Sequence, residues 1–165
     1  MDEDTVVSLG VVVAILAVSA GLINNWVNRA EDESALSFYV LNSKGNTDPR
    51  FYPKNVTAGE AFLLYVGIQN DGEETLRLRV EVKVGNITTP PPNKATPSSL
   101  LPLKSLEITA SPRNLTTSSL QLALNQTGLD KRVIFELYAY DAASGSRRYT
   151  GLWNQLWINV TGPPS

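Results

Sequence analysis

The sequence predicts a mainly β protein: one N-terminal transmembrane α-helix followed by an immunoglobulin-like antiparallel β-sandwich of about seven strands. Val6 to Ile23 is a run of 18 residues without a charge, which is about the length that spans a hydrocarbon core. From Leu36 onward, short runs alternate between apolar and polar residues and are separated by turn residues. Repeated short strands without convincing soluble helices are typical of two packed sheets.

Four segments follow from these patterns: residues 1-5 as a cytoplasmic tail, 6-26 as the transmembrane helix, 27-35 as a charged neck and 36-165 as the exterior domain. Trp26 lies where an interfacial aromatic residue is expected. A cleaved signal peptide ending before Gly21 and a buried soluble helix are the alternatives. The acidic start "MDEDT" and the length of the apolar run favour a retained anchor.

Five Asn-x-Thr sequons predict N-linked glycans on an exterior domain. They begin at Asn55, Asn86, Asn114, Asn125 and Asn159. Arg29, on the C-terminal side of the apolar run, weakly favours the opposite orientation. Since large domains translocate largely regardless of flanking charge, we predict a single-pass protein of the cell membrane with its C-terminal domain outside.

The sequence of the first half of the domain predicts three strands. "ALSFYVLN" is the first, and Gly59 to Asn70 is apolar on both faces, as expected of a central strand that is covered on both sides. Asp71-Gly72 predicts a hairpin. The following "TLRLRVEVKV" alternates between apolar residues that are expected in the core and charged residues that are expected in water. The apolar ones are Leu76, Leu78, Val80, Val82 and Val84, and the charged ones are Arg77, Arg79, Glu81 and Lys83.

The second half begins with a proline-rich stretch, Thr88 to Leu103, which cannot pair in a sheet and predicts a long surface connection. Strands are expected at Ser105 to Ala110, Ser119 to Leu124 and Arg132 to Tyr140. In the closing strand, "LWNQLWINVTG", Leu156, Ile158 and Val160 fall on one face and Trp153 and Trp157 on the other.

Composition excludes several functional classes. The chain has no cysteine and no histidine, so it lacks disulfides, thiolate nucleophiles and the usual general base. A formal charge of -2 without a basic cluster speaks against nucleic acid as a partner. We predict no enzyme, no catalytic residue, no cofactor and no metal. The neck carboxylates at Glu31, Asp32 and Glu33 fit a solvated run better than a metal site.

The outward side of the closing strand is the candidate interaction surface. Trp153 and Trp157 lie there, with Tyr138 and Tyr140 expected beside them on the neighbouring strand. Exposed aromatic patches mark contacts with partners, glycans or a membrane interface. The alternative is that a loop, such as the proline-rich connection, folds over these rings.

Three segments resemble a family of uncharacterised archaeal membrane proteins that is known only as a domain of unknown function. The resembling residues are Phe38 to Glu60, Val66 to Gly85 and Arg132 to Gly162. The resemblance implies an exterior β-domain that follows membrane helices. Members of the family usually have several such helices, whereas this chain has one, and the resemblance implies no catalytic residue.

The anchor, the sequons and the aromatic face together predict a structural or interaction subunit of a larger membrane or cell-envelope assembly. Its expected partners are the lipid bilayer, through Val6 to Trp26, and other membrane or envelope proteins. A carbohydrate- or S-layer-binding module that uses Trp153 and Trp157 is the alternative. A pilin or archaellum-type filament protein is less favoured, because no Lys or Arg precedes Gly10 to form the expected processing site.

Overall fold

A computed structural model describes residues 35–141 and 144–162. The predicted tail, transmembrane helix and neck up to residue 34 lie outside the described residues. Within those residues, no helix has the length and apolar character needed to cross a membrane. The helical segment that they contain is a short 3-10 turn, Pro49–Phe51.

Eight strands make up the domain, and each follows a run that alternates or is rich in β-branched and aromatic residues. They are β1 (Leu36–Leu41), β2 (Asn55–Thr57), β3 (Ala61–Asn70), β4 (Leu76–Gly85), β5 (Pro102–Ala110), β6 (Asn114–Ala123), β7 (Gly128–Asp141) and β8 (Ser146–Thr161).

The strands form two sheets, one of three strands in the order β1-β3-β6 and one of five in the order β2-β8-β7-β4-β5. The prediction of a mainly β domain with two sheets is therefore confirmed. The strand that the sequence patterns missed is β2. Its three residues pair with β8 in parallel, whereas the other pairings are antiparallel, as expected.

The core lies between the sheets and follows the alternation of the sequence. β3 contributes Leu64, Val66 and Ile68, and the predicted inward residues of β4 and β8 are buried or pack against this core. Each such side chain stabilises the fold by about 1.5–3 kcal/mol when it is fully buried. Asn154 of β8 also faces inward, and its Nδ2 donates to the Phe38 carbonyl oxygen of the opposite sheet at 3.0 Å.

The predicted hairpin at Asp71-Gly72 is wrong, because β3 and β4 belong to different sheets. Asn70, which is fully buried, directs this crossing. Its Nδ2 donates to the carbonyl oxygens of Glu74 at 2.8 Å and Ala110 at 3.2 Å, and its Oδ1 accepts from Gly72 N at 3.0 Å. One amide thereby satisfies backbone groups that a hairpin ladder would otherwise have paired.

The strand registers define two ends of the sandwich. At the end where β1 begins, Leu36 pairs with Asn70 and Asn70 pairs with Asn114. We call this the near end. At the far end, Ala61 pairs with Ala123 and Thr57 pairs with Thr161. The described chain therefore enters at the near end and leaves at the far end.

Candidate interaction surfaces

The outer face of the five-stranded sheet, which we call the covered face, is charged and lies beneath the proline-rich connection. Residues 88–101 of that connection form what we call the strap. Pro102 and Leu103 belong to β5, so the prediction that they stay outside the sheet is wrong. Arg79, Glu81 and Glu107 form a network on this face, in which Arg79 Nε lies 3.3 Å from Glu81 Oε1 and Arg79 Nη1 lies 3.3 Å from Glu107 Oε1. The strap closes over the part of the face next to this network.

A buried ion pair fastens the strap to the sheet. Lys83 Nζ lies 2.7 Å from Glu136 Oε2 and donates to the Ser98 carbonyl oxygen at 2.9 Å. The amide of Ser98 donates to Glu136 Oε1 at 2.5 Å. Lys83 is 4% exposed and Glu136 is fully buried. The expectation that Lys83 faces water is therefore wrong, because the strap covers it and supplies its hydrogen-bond partner.

Two tyrosines complete the polar cluster beneath the strap. The hydroxyl of Tyr138 donates to Glu136 Oε2 at 2.8 Å, and its ring lies 5.5 Å from that of Tyr149. Burial raises the pKa of Tyr138, and the hydrogen bond with Glu136 adds to that rise. Burial also raises the pKa of Tyr149 to about 12, with a further contribution from the Glu136 charge. Both phenols thus stay protonated over the physiological range.

The strap makes two more contacts along the covered face. The backbone of β8 comes so close to the strap at Gly151 that a Cβ there would lie 2.6 Å from the Lys94 carbonyl oxygen. Gly151 also has a φ of +80°, a conformation that glycine adopts without strain. Further along, Arg132 Nη1 donates to the Thr89 carbonyl oxygen at 2.7 Å. The strap therefore touches β4, β7 and β8.

The four aromatic residues of the predicted interaction surface lie on the covered face, in two environments. Tyr138 and Trp153 are half-buried. Trp157 and Tyr140 are 39% and 42% exposed, and each stacks with an arginine: Arg132 lies 4.5 Å from the Trp157 ring and Arg77 lies 5.1 Å from the Tyr140 ring. The structure thus brings the four residues to one face, and their role in binding stays a prediction.

The outer face of the three-stranded sheet, which we call the open face, has the opposite character. Its outward positions alternate with the core residues of β1, β3 and β6, and none of them is charged. They are Ser37, Tyr39, Leu41, Leu63, Tyr65, Gly67, Gln69, Leu115, Thr117, Ser119 and Gln121. Tyr39, Leu63 and Leu115 are 43%, 37% and 50% exposed. Within the described chain, no segment covers this face as the strap covers the other.

The open face corrects one expectation. β3 was expected to be covered on both sides because it is apolar on both sides. The structure covers the side that carries Leu64 and leaves Leu63 and Tyr65 at the surface. The core therefore covers one side of β3, and the other side stays at the surface. The apolar pattern of β3 predicts that both of its faces are buried, but it does not identify what covers each face.

The sequons are distributed unevenly between the two ends. Asn114 lies at the near end, opposite Asn70. The other four follow or belong to strand segments at the far end, and they are Asn55, Asn86, Asn125 and Asn159. Asn159 is half-buried, and the other four asparagines are exposed. None of the five occupies an outward position of the open face.

The described residues offer little for metal or small-molecule binding. They contain no group of three or more acidic, histidine or cysteine residues that could hold a metal ion. A cleft of about 380 Å³ lies where β5 passes β6. Its charged group, the Lys104 amine, already donates to the Gln121 carbonyl oxygen at 2.6 Å. A ligand site normally needs several converging polar groups, which this cleft lacks.

Comparison with known proteins shows likeness of fold alone. No protein-family model matches the chain, and no curated protein matches it. A CARDB domain from Pyrococcus furiosus is 10% identical, with 76% of this chain and 87% of that chain covered and a TM-score of 0.44. A β-glucosidase from Listeria innocua is 11% identical over 77% of this chain and 16% of that chain, with a TM-score of 0.45.

Proposed function

We propose that this protein is a membrane-anchored, N-glycosylated interaction subunit of a larger membrane or cell-envelope assembly, and that it docks to its partner through the open face. The observation that carries the proposal is the contrast between the two faces of β3. Leu64 lies in the core, whereas its neighbour Leu63 lies on a surface that is uncharged and uncovered. The proposal includes no catalytic step, since the chain has neither histidine nor cysteine.

The anchoring part of the proposal rests on the apolar run from Val6 to Ile23. The glycosylated part rests on the five sequons, four of which lie at the far end of the sandwich. None of them occupies an outward position of the open face, so glycans on them would leave that face unobstructed.

The size and chemistry of the open face suit a partner in the same membrane. Completing the burial of Tyr39, Leu63 and Leu115 is worth about 1 kcal/mol for each side chain, on the basis of their present exposure. Such a gain is too small to capture a freely diffusing protein against the loss of translational freedom. Confinement to one membrane raises the effective concentration of the partner and lowers that cost.

Site-specific cross-linking tests this proposal cleanly because the chain has no native cysteine. Tyr39→Cys and Leu63→Cys place a thiol on the open face, and Leu101→Cys and Leu129→Cys place one on exposed leucines elsewhere. In native membranes, a thiol-reactive cross-linker should join the first two variants to the same protein in high yield. Equal yields from all four variants, or none from the open face, would overturn the proposal.

A glycan-binding role is the second candidate, and the partial exposure of Trp157 favours it. Arg132 occupies one side of that ring at 4.5 Å, so a sugar would stack on the part of the ring that Arg132 leaves exposed. Trp157→Ala should then abolish binding to cell-wall glycans while the melting temperature stays within a few degrees of the wild-type value. Unfolding of this variant would instead assign Trp157 a structural role.

A further inference from the structure

Two copies of one tripeptide lie side by side in the sandwich. Asn55-Val56-Thr57 in β2 and Asn159-Val160-Thr161 in β8 pair in parallel register, residue for residue. Both are N-glycosylation sequons, and by sequence alone they are equivalent. The structure places them in different environments.

The side chain of Asn159 makes a hydrogen bond through each end of its carboxamide. Its Nδ2 donates to Asn55 Oδ1 at 3.0 Å, and its Oδ1 accepts from the backbone amide of Asp130 at 3.0 Å. Asp130 has a φ of +49°, which is uncommon for a residue other than glycine. The Asn159 carboxamide therefore holds an unusual turn at the beginning of β7.

The threonine of the second sequon is also engaged across the ladder. Thr161 Oγ1 donates to the Val56 carbonyl oxygen at 3.3 Å, and the backbone amide of Asn159 donates to the Lys54 carbonyl oxygen at 2.9 Å. Asn55, in contrast, is exposed, and its Oδ1 only accepts the hydrogen bond from Asn159. Asn55 is thus the more exposed residue of the pair.

N-glycosylation needs the side-chain nitrogen of the asparagine. The carboxamide Nδ2 forms a bond to C1 of the sugar while the bond between C1 and the phosphate oxygen of a lipid-linked donor breaks. The phosphate leaves with the electron pair, and the proton that Nδ2 loses balances the charge of the released phosphate. Neighbouring strands lie about 4.8 Å apart, and a sugar ring on each of two touching carboxamides would overlap with the other. Two sugars at these positions would therefore compete with the Asn159–Asn55 hydrogen bond and with the pairing of β2 and β8.

We infer that the pair carries at most one glycan in the folded protein, that Asn55 is the acceptor, and that Asn159 is a structural residue which holds Asp130 and β2. The inference rests on the proposed function insofar as it requires the domain to meet the glycosylation machinery. It divides two identical motifs into a modification site and a structural element.

The test uses the full chain expressed in a host that attaches N-glycans, with site occupancy measured by glycopeptide mass spectrometry. Thr57→Ala removes the sequon of Asn55, and Thr161→Ala removes that of Asn159, while both asparagines remain. Thr57→Ala should lower the intact mass by one glycan, and Thr161→Ala should leave it unchanged. A sugar on Asn159 of the wild-type chain, with Asn86 or Asn125 also occupied, would overturn this inference but not the proposed function. A chain without sugar at any sequon would overturn the glycosylated part of the proposed function.

A second measurement does not depend on glycosylation. In unglycosylated protein, Asn159→Ala should lower the melting temperature by about 3 °C because the Asp130 amide loses its acceptor. Asn55→Ala, which removes an exposed acceptor, should lower it by less than half as much. Equal effects of the two substitutions would contradict the structural role of Asn159.

Discussion

The covered face and the open face of this sandwich are built from strands of the same alternating kind, but their outward side chains are shielded from water to different extents. The five-stranded sheet places Lys83 and Glu136 outward and then buries them beneath the strap. The three-stranded sheet places Tyr39, Leu63 and Leu115 outward and leaves them partly exposed. Charge is thus buried by the chain itself, and an uncharged surface with partly exposed apolar side chains is left open.

This contrast has a physical basis. A buried ion pair needs all of its hydrogen bonds satisfied, and the strap supplies both an acceptor and a donor at Ser98. An apolar surface needs only to be shielded from water, so a separate partner can bind and leave without exposing a charge. The cover that the chain itself supplies therefore lies over the polar cluster, and under the proposed function a partner would cover the open face.

The largest effect is expected from the buried ion pair. Glu136→Ala removes the nearer of the two carboxylates beside the buried Lys83 ammonium and leaves Glu81 at 3.7 Å, and we expect a loss of about 3 kcal/mol in the free energy of unfolding. Chemical denaturation measures that loss. Glu107→Ala removes a carboxylate that is 62% exposed, and it should cost no more than about 1 kcal/mol. Equal losses would show that the strap does not bury the pair in solution.

The contact between the strap and Gly151 is expected to give the next largest effect. Gly151→Ala adds a Cβ against the Lys94 carbonyl at a φ of +80°, and it should cost about 3 kcal/mol and speed tryptic cleavage after Lys94. Gly45→Ala is the matched control, because its φ is +73° and no atom lies within 4 Å of the added Cβ. It should cost about 1 kcal/mol and leave the cleavage rate unchanged.

Alkaline pH should loosen the covered face. The pKa of Tyr149 is raised from 10.0 to about 12 in the folded protein, so the unfolded state loses its proton first. Stability is therefore fully present below pH 10 and falls as the pH rises toward 12. Thermal melts across this window should show a decline that is reduced in Tyr149→Phe. An unchanged decline in that variant would assign the effect to other groups.

The smallest effect on stability is expected on the open face. Leu63→Ala removes a side chain that is already 37% exposed, and we expect a cost below about 1 kcal/mol. Its neighbour Leu64 is fully buried, so Leu64→Ala should cost about 2–5 kcal/mol. Leu63→Ala should nevertheless weaken cross-linking from Tyr39→Cys, which separates binding from folding. If Leu63→Ala destabilised the protein as much as Leu64→Ala, the face would be part of the core.

Alternation predicted the local structure well, because burial of one face imposes period two. The inward residues of β4 and β8 were identified from sequence, as was the outward position of Trp153 and Trp157. β2 could not be found in this way, since three residues carry no periodic signal. The stability of that strand comes from its pairing with β8, which is more than 100 residues away in sequence.

The candidate surfaces depended on long-range contacts, and the sequence was less informative about them. Lys83 fits the outward alternation of β4, and nothing local indicates that Ser98 and Glu136 will enclose it. Asp71-Gly72 has the composition of a hairpin, but the buried Asn70 amide directs the chain into the second sheet. The sequence shows that both faces of β3 are apolar, but only the structure shows that one of them stays open.

The separation of the two ends of the sandwich has a mechanical consequence. Leu36 opens β1 at one end and Thr161 closes β8 at the other, so tension between the two residues runs along the strands. Under that load, the six paired positions of β1 and β3 would be sheared together, and rupture would require them all to yield at once. A domain loaded in this way would act as a stiff link that transmits force between its two ends.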